Sequence, residues 1–114
     1  MIEDFRLKVF IAVSQTHSFT KAARLLDITQ PAVSQNIAEL EKKVNAELFN
    51  RTRGEVTLTE KGEVFKAFAE KIIKNYEDLN AVFSNYEAFE SIIEQSRSIS
   101  ENPLYYLAKE ILLR

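Results

Sequence analysis

Residues 29–36 read TQPAVSQN and place three side-chain amides (Gln30, Gln35, Asn36) and two hydroxyls (Thr29, Ser34) within eight positions, with no acidic or basic residue among them. A side-chain amide carries a donor and an acceptor side by side, the pattern that meets the N6 and N7 edge of adenine, and hydroxyls serve base edges or phosphates. A carboxylate here would repel phosphate. The segment is therefore a candidate for reading a nucleic-acid groove, with Gln30, Ser34, Gln35 and Asn36 as the base-reading residues. Cations for the phosphates stand on either side, at Lys21 upstream and at Arg51 and Arg53 downstream. Lys21 and Thr29 both lie near expected helix starts, whose unpaired amides attract anions. Other chemistries have less support. The absence of cysteine removes disulfides and thiolate catalysis, and one histidine, His17, is too few for a typical zinc site. No nucleophile elbow, glycine-rich phosphate loop or HExxH spacing occurs. No catalytic residue, metal site or cofactor is assigned, and the chain is not expected to be an enzyme.

The elements that must position these residues are mostly helices, because only 2 Gly and 2 Pro occur in 114 residues. Phe5, Val9, Phe10 and Val13 predict a first helix that the polar run Ser14–Ser18 breaks. Ser18 caps a second, short helix from Phe19 to about Leu26. Thr29 caps a third, with Pro31 harmless in its first turn and Val33, Ile37, Leu40 and Val44 forming one apolar stripe up to about Asn45. The face opposite that stripe holds Pro31, Ser34, Gln35, Ala38 and Lys42. A helix, a short turn and a second capped helix make a helix-turn-helix over about residues 18–37, an arrangement that lays its second helix in the DNA major groove. Residues 47–50 and 55–59 then flank Arg51-Thr52-Arg53-Gly54, which predicts a short β-hairpin over about 47–59.

Thr59 caps a long helix running from Glu60 to about residue 96, roughly 50 Å at 1.5 Å per residue. Along it Phe65, Ile72, Leu79, Tyr86 and Ile93 recur every seven residues, with Phe68, Asn75, Val82 and Phe89 at the alternate positions. This heptad asks for a partner helix, so a homodimer is expected, with Asn75 able to fix register by pairing across the interface. A turn and a final helix, opened by Asn102-Pro103 and carrying Leu104, Leu107, Ile111 and Leu112, occupy 97–114. The chain thus divides into a head (1–59), a dimerisation helix (60–96) and a C-terminal segment (97–114). Its formal charge of −2 is unusual for a nucleic-acid binder, but it is unevenly spread. Residues 1–59 hold eight basic and seven acidic side chains, and the rest hold seven and ten. The acidity belongs to the helical tail, and DNA is expected at the head. No apolar run approaches the roughly 20 residues that cross a bilayer, and MIEDFRLKVF lacks the order of a signal peptide. A cytoplasmic protein with no membrane partner is expected.

The fragments SFTKAA, TQPAVSQNI-x-x-LE, LFNR and LTEKG stand in this sequence in the order and spacing of LysR-type transcriptional regulators, and roughly residues 2–65 closely resemble their N-terminal DNA-binding domain. The resemblance implies a mainly α, winged helix-turn-helix fold of three helices and a hairpin wing, followed by a linker helix that pairs with its counterpart in a second subunit. It implies that Thr29, Gln30, Pro31, Ser34 and Gln35 approach double-stranded DNA and that Arg51 helps hold the wing there. Many members carry arginine in place of Gln35, so a weaker, more A·T-tolerant contact is expected. The wing also departs, since Arg53-Gly54-Glu55 shifts the basic residue normally found there. The strand that opens the family's effector domain has no counterpart in ESIIEQSRSISENPLYYLAKEILLR, so no small-molecule effector is expected. The expected function is a dimeric, sequence-specific DNA-binding regulator of transcription. The alternative is a winged-helix interaction module that pairs with a full-length regulator or another protein, which the acidic balance favours.

Overall fold

In the computed structural model, which describes residues 4–52, 54–84 and 105–112, three helices precede a two-stranded hairpin and a long helix. They are α1 (Asp4–Thr16), α2 (Phe19–Leu26), α3 (Gln30–Val44), β1 (Phe49–Thr52), β2 (Glu55–Leu58) and α4 (Glu60–Ser84), with α5 (Tyr105–Leu112) further on. The expected mainly α, winged helix-turn-helix architecture is therefore present. The first helix is longer than its pattern predicts. Ser14 Oγ donates to Ile11 O (2.7 Å) and Thr16 Oγ1 to Ala12 O (2.8 Å), so the polar residues bond back onto the helix instead of breaking it.

The caps are the expected ones. Ser18 Oγ accepts the Lys21 N–H at 3.1 Å and Thr29 Oγ1 accepts the Ala32 N–H at 3.3 Å. Three of the helices end on non-glycine residues in the left-handed region: His17 (φ 55), Asp27 (φ 56) and Asn45 (φ 52). After α2, the Asp27 N–H reaches Arg24 O and the Ile28 N–H reaches Ala23 O, and the same pair of bonds recurs at Asn45 and Ala46. In a chain almost without glycine, Asp and Asn take the cap position because they tolerate that backbone best.

The core of the head gathers Leu7, Val9, Phe10 and Val13 of α1, Ala22 and Ala23 of α2, and Val33, Ile37 and Leu40 of α3, closed by Leu48, Phe49 and Val56. Phe10 is its centre, 5.1 Å from the Phe49 ring and 4.6 Å from the Phe65 ring. α4 joins this core through Phe65, Ala69 and Ile73. Compact contacts accordingly divide the chain between Ile73 and Lys74, inside α4, whereas the sequence places the boundary at its N-cap, 59/60. In the second unit Asp78 and Val82 are buried.

The expected dimerisation stripe divides. Phe65 is half-buried against the head's own core, and Val82 is buried. Phe68, Ile72, Asn75 and Leu79 are exposed. Val64, Tyr76 and Phe83, outside the heptad positions, are exposed as well. The first turns of α4 must pack on the head, which uses the side chains that face it. Tyr86, Phe89 and Ile93, the end of the long helix and the turn at 97–101 lie outside the described residues.

Candidate nucleic-acid interface

α3 turns Val33, Ile37 and Leu40 into the core and leaves Thr29, Gln30, Pro31 and Gln35 exposed at its first turns. No acid stands in the first turn, so the positive end of the helix dipole faces solvent without a competing negative charge, although Thr29 Oγ1 takes the Ala32 N–H and Pro31 has none, which leaves the Gln30 amide. The two glutamines share a device. Gln30 Nε2 donates to Ser34 Oγ at 3.0 Å, and Gln35 Nε2 donates to Glu39 Oε1 at 3.4 Å. A carboxylate can only accept, so the NH2 end of Gln35 must face Glu39. Each glutamine therefore holds one N–H against its own helix and keeps the carbonyl oxygen and second N–H for a ligand, the pair that adenine requires.

Asn36 is held differently from the two glutamines. Its Nδ2 donates to Ala32 O at 2.8 Å, and the half-buried side chain sits on the flank of α3 toward the core. One step along a helix turns a side chain by about 100°, which takes Asn36 off the face that carries Gln35. Ser34 is half-buried and serves Gln30, a supporting position. Lys21 is exposed on α2, one turn beyond the Ser18 cap.

The hairpin is tighter than its sequence predicts. Register pairs Thr52 with Glu55 and Arg51 with Val56, so the connection is residues 53 and 54 alone, with Gly54 at φ 80. Arg51 is thereby a strand residue. Alternation places it on the face of Phe49, toward α3, and its Nη2 lies 2.7 Å from Glu41 Oε1 while its guanidinium stands 5.4 Å from the Phe19 ring centre. Arg53 lies outside the described residues.

Three residues with no expected role organise the site. Glu41 Oε2 accepts the Leu48 N–H at 2.7 Å while its other oxygen takes Arg51. His17 accepts the Val56 N–H through its carbonyl at 3.3 Å and donates Nδ1–H to Val56 O at 3.1 Å, pinning β2 to the end of α1. Gly62 lies so close to the Leu48 carbonyl that a Cβ there would stand 2.1 Å from the oxygen, and the Thr59 N–H donates to that same oxygen at 3.0 Å. The fragments LE, LFNR and LTEKG thus meet at Leu48. The Glu41 link was visible as a motif but not as a contact, since ten residues separate it from Arg51. Among the described residues no group of His, Asp and Glu could hold a metal ion, and no helix is long and apolar enough to cross a membrane.

Residues 5–63 match the family described as bacterial regulatory helix-turn-helix protein, lysR family. An uncharacterized HTH-type transcriptional regulator from the ibpB-leuC intergenic region of Azotobacter vinelandii is 43% identical over 79 residues, covering 69% of this chain and 55% of that protein. Another, from Methanocaldococcus jannaschii, is 50% identical over 66 residues, 58% of this chain and 22% of that one. The chain thus spans about half the length of the first relative and about a fifth of the second. Among solved structures, the BenM DNA-binding domain in complex with benA site 1 DNA superposes with a TM-score of 0.70 at 34% identity, covering 73% of this chain and 93% of that one. Vibrio fischeri DarR in complex with DNA superposes at 0.71 with 31% identity, covering 76% and 30%.

Proposed function

For a chain that belongs to the lysR family of bacterial regulatory helix-turn-helix proteins, we propose sequence-specific binding of double-stranded DNA as a homodimer that regulates transcription in the cytoplasm. The observation that carries this reading is the acid-free start of α3, where Gln30 and Gln35 each hold one N–H and present the rest of the amide. α3 enters the major groove with the glutamine side-chain amides against base edges, and the Thr29 hydroxyl and the Gln30 N–H bind the flanking phosphates. The wing lies along the adjacent backbone.

The second copy is expected on α4. In the first unit Val64, Phe68 and Ile72 are exposed, Phe68 at 65%, and all three line an apolar groove of about 440 Å³ with Leu7, Val44 and Leu48. In the second unit Tyr76, Leu79 and Phe83 are exposed. A formal charge of −2 makes nonspecific attraction to DNA weak, so two linked heads give more affinity than either alone.

Selection of bound sequences from a random duplex pool tests the reading. A recovered consensus with two half-sites is expected, and purified protein showing no preference among duplexes at low salt would sink it. Leu79→Asp is expected to convert a dimer to a monomer in sedimentation, because a carboxylate would be buried between helices. A persistent dimer moves the interface elsewhere on the chain.

A further inference from the structure

Glu41 stands in the last turns of α3, and an acid on a DNA-reading helix is at first sight a liability. Its side chain is only 13% exposed and both of its oxygens are engaged, Oε2 by the Leu48 N–H and Oε1 by Arg51, each at 2.7 Å. These are short, charge-assisted bonds from α3 to the residue before β1 and to the middle of β1. The Arg51 guanidinium also covers Phe19, the first residue of α2. Both helices of the helix-turn-helix and the wing therefore converge on one arginine–glutamate pair. Leu48 extends the connection to α4, because its carbonyl accepts the Thr59 N–H and abuts Gly62.

We propose that Glu41 and Arg51 form a positioning couple that sets the angle of the wing to α3, and that Arg51 influences DNA binding through this couple rather than by contacting a phosphate. Two roles for Arg51 predict opposite effects of removing its partner. A phosphate ligand would be freed, and repulsion lifted, when the acid is deleted, so binding would tighten. A couple would fail from either side, since a displaced wing and a displaced α3 cannot both meet the duplex. The fork of arginine matters for the same reason, because lysine retains the charge but not the planar geometry that reaches Glu41 and lies over Phe19.

The proposal rests on the DNA-binding reading above, and its test separates the two. The full chain with Glu41→Ala, Arg51→Ala, both together, or Arg51→Lys is titrated by fluorescence anisotropy over a series of KCl concentrations. The probes are a duplex recovered from the random pool and a scrambled duplex of the same composition. Each single variant is expected to bind the selected duplex roughly tenfold more weakly, with the double variant no weaker than either. The slope of log affinity against log salt stays as in the wild type, and Arg51→Lys behaves like Arg51→Ala. Tighter binding by Glu41→Ala overturns the proposal. So does a slope lowered by about one on both duplexes in Arg51→Ala, the signature of a lost phosphate contact. Should Arg51→Ala fail to fold, Arg51→Lys carries the same comparison. Wild-type protein that binds no duplex overturns the DNA-binding reading instead. Hydrogen exchange at the Leu48 amide in the DNA-free protein still reads the couple. Faster exchange in Arg51→Lys is expected, and an unchanged rate overturns it.

Discussion

The first half of α3 keeps its side chains free, and the second half spends them. Gln30 and Gln35 each anchor one N–H locally and leave the rest of the amide open, and neither makes a bond to another element of the fold. Six residues on, Glu41 is bonded to Leu48 and Arg51, while Glu39 takes Arg6 of α1 at 2.6 Å. On the proposed function, one helix separates reading from positioning along its length. The division also explains how a DNA-binding head can hold seven acids. Two of them are paired with arginines at the end of α3 that stays with the protein, where their charge is compensated. A carboxylate at the reading end would face phosphate with no arginine beside it.

The contrast breaks most severely at the core that both halves share. Ile37→Ala removes a fully buried side chain from the middle of α3 and is expected to cost about 2–5 kcal/mol of stability, read from urea unfolding. Reading and positioning should fail together, and a variant that kept wild-type DNA affinity while losing stability would show that the halves do not depend on one packed helix. Gln35→Glu imports the charge of the second half into the first. Binding to every duplex is expected to fall roughly a hundredfold, since like charges brought together at an interface cost several kcal/mol, while the melting temperature stays near that of the wild type. If binding is unimpaired, Gln35 does not face DNA.

Smaller changes sharpen the boundary. Gln30→Ala should lose about 1–3 kcal/mol of discrimination at one base pair, seen as a relaxed position in the selected consensus; an equal loss on all sequences would reassign it to the backbone. Thr29→Ala removes the cap and should lower stability by about 1 kcal/mol in thermal melts. Asn36→Ala should change discrimination by less than about 0.5 kcal/mol, as expected for a residue outside the binding face. A strong loss of specificity there would return Asn36 to the reading set.

Much of this division is legible from residue types. The caps at Ser18 and Thr29, the stripe Val33/Ile37/Leu40 and the hairpin glycine are local signals, and each appears where its spacing predicts. The errors have one character. Ser14 and Thr16 read as breakers because their alternative partners, carbonyls three and four residues back, are invisible in a pattern of polarity. The bond of Asn36 to Ala32 O is likewise invisible in a pattern of polarity. Arg51 reads as a turn cation because hairpin register depends on which residues Phe49 and Val56 bury, a long-range matter. The heptad along α4 does not show that Phe65 also packs on the head, because a repeat of seven cannot tell a partner helix from the chain's own core.

Sequence by itself determined the caps of α2 and α3, the buried stripe of α3 and the place of the negative charge. These follow from neighbours within a few residues: a hydroxyl meets the third amide onward, and apolar side chains at offsets of three and four share a face. Only the tertiary structure decided what the arginines and acids do. Glu41 and Arg51 are ten positions apart and His17 and Val56 thirty-nine, and whether such groups meet depends on how α1, α3 and the hairpin close around Phe10. A charge reads alike in a sequence whether it awaits DNA or is already bound within the protein, because its partner is set by packing rather than by spacing.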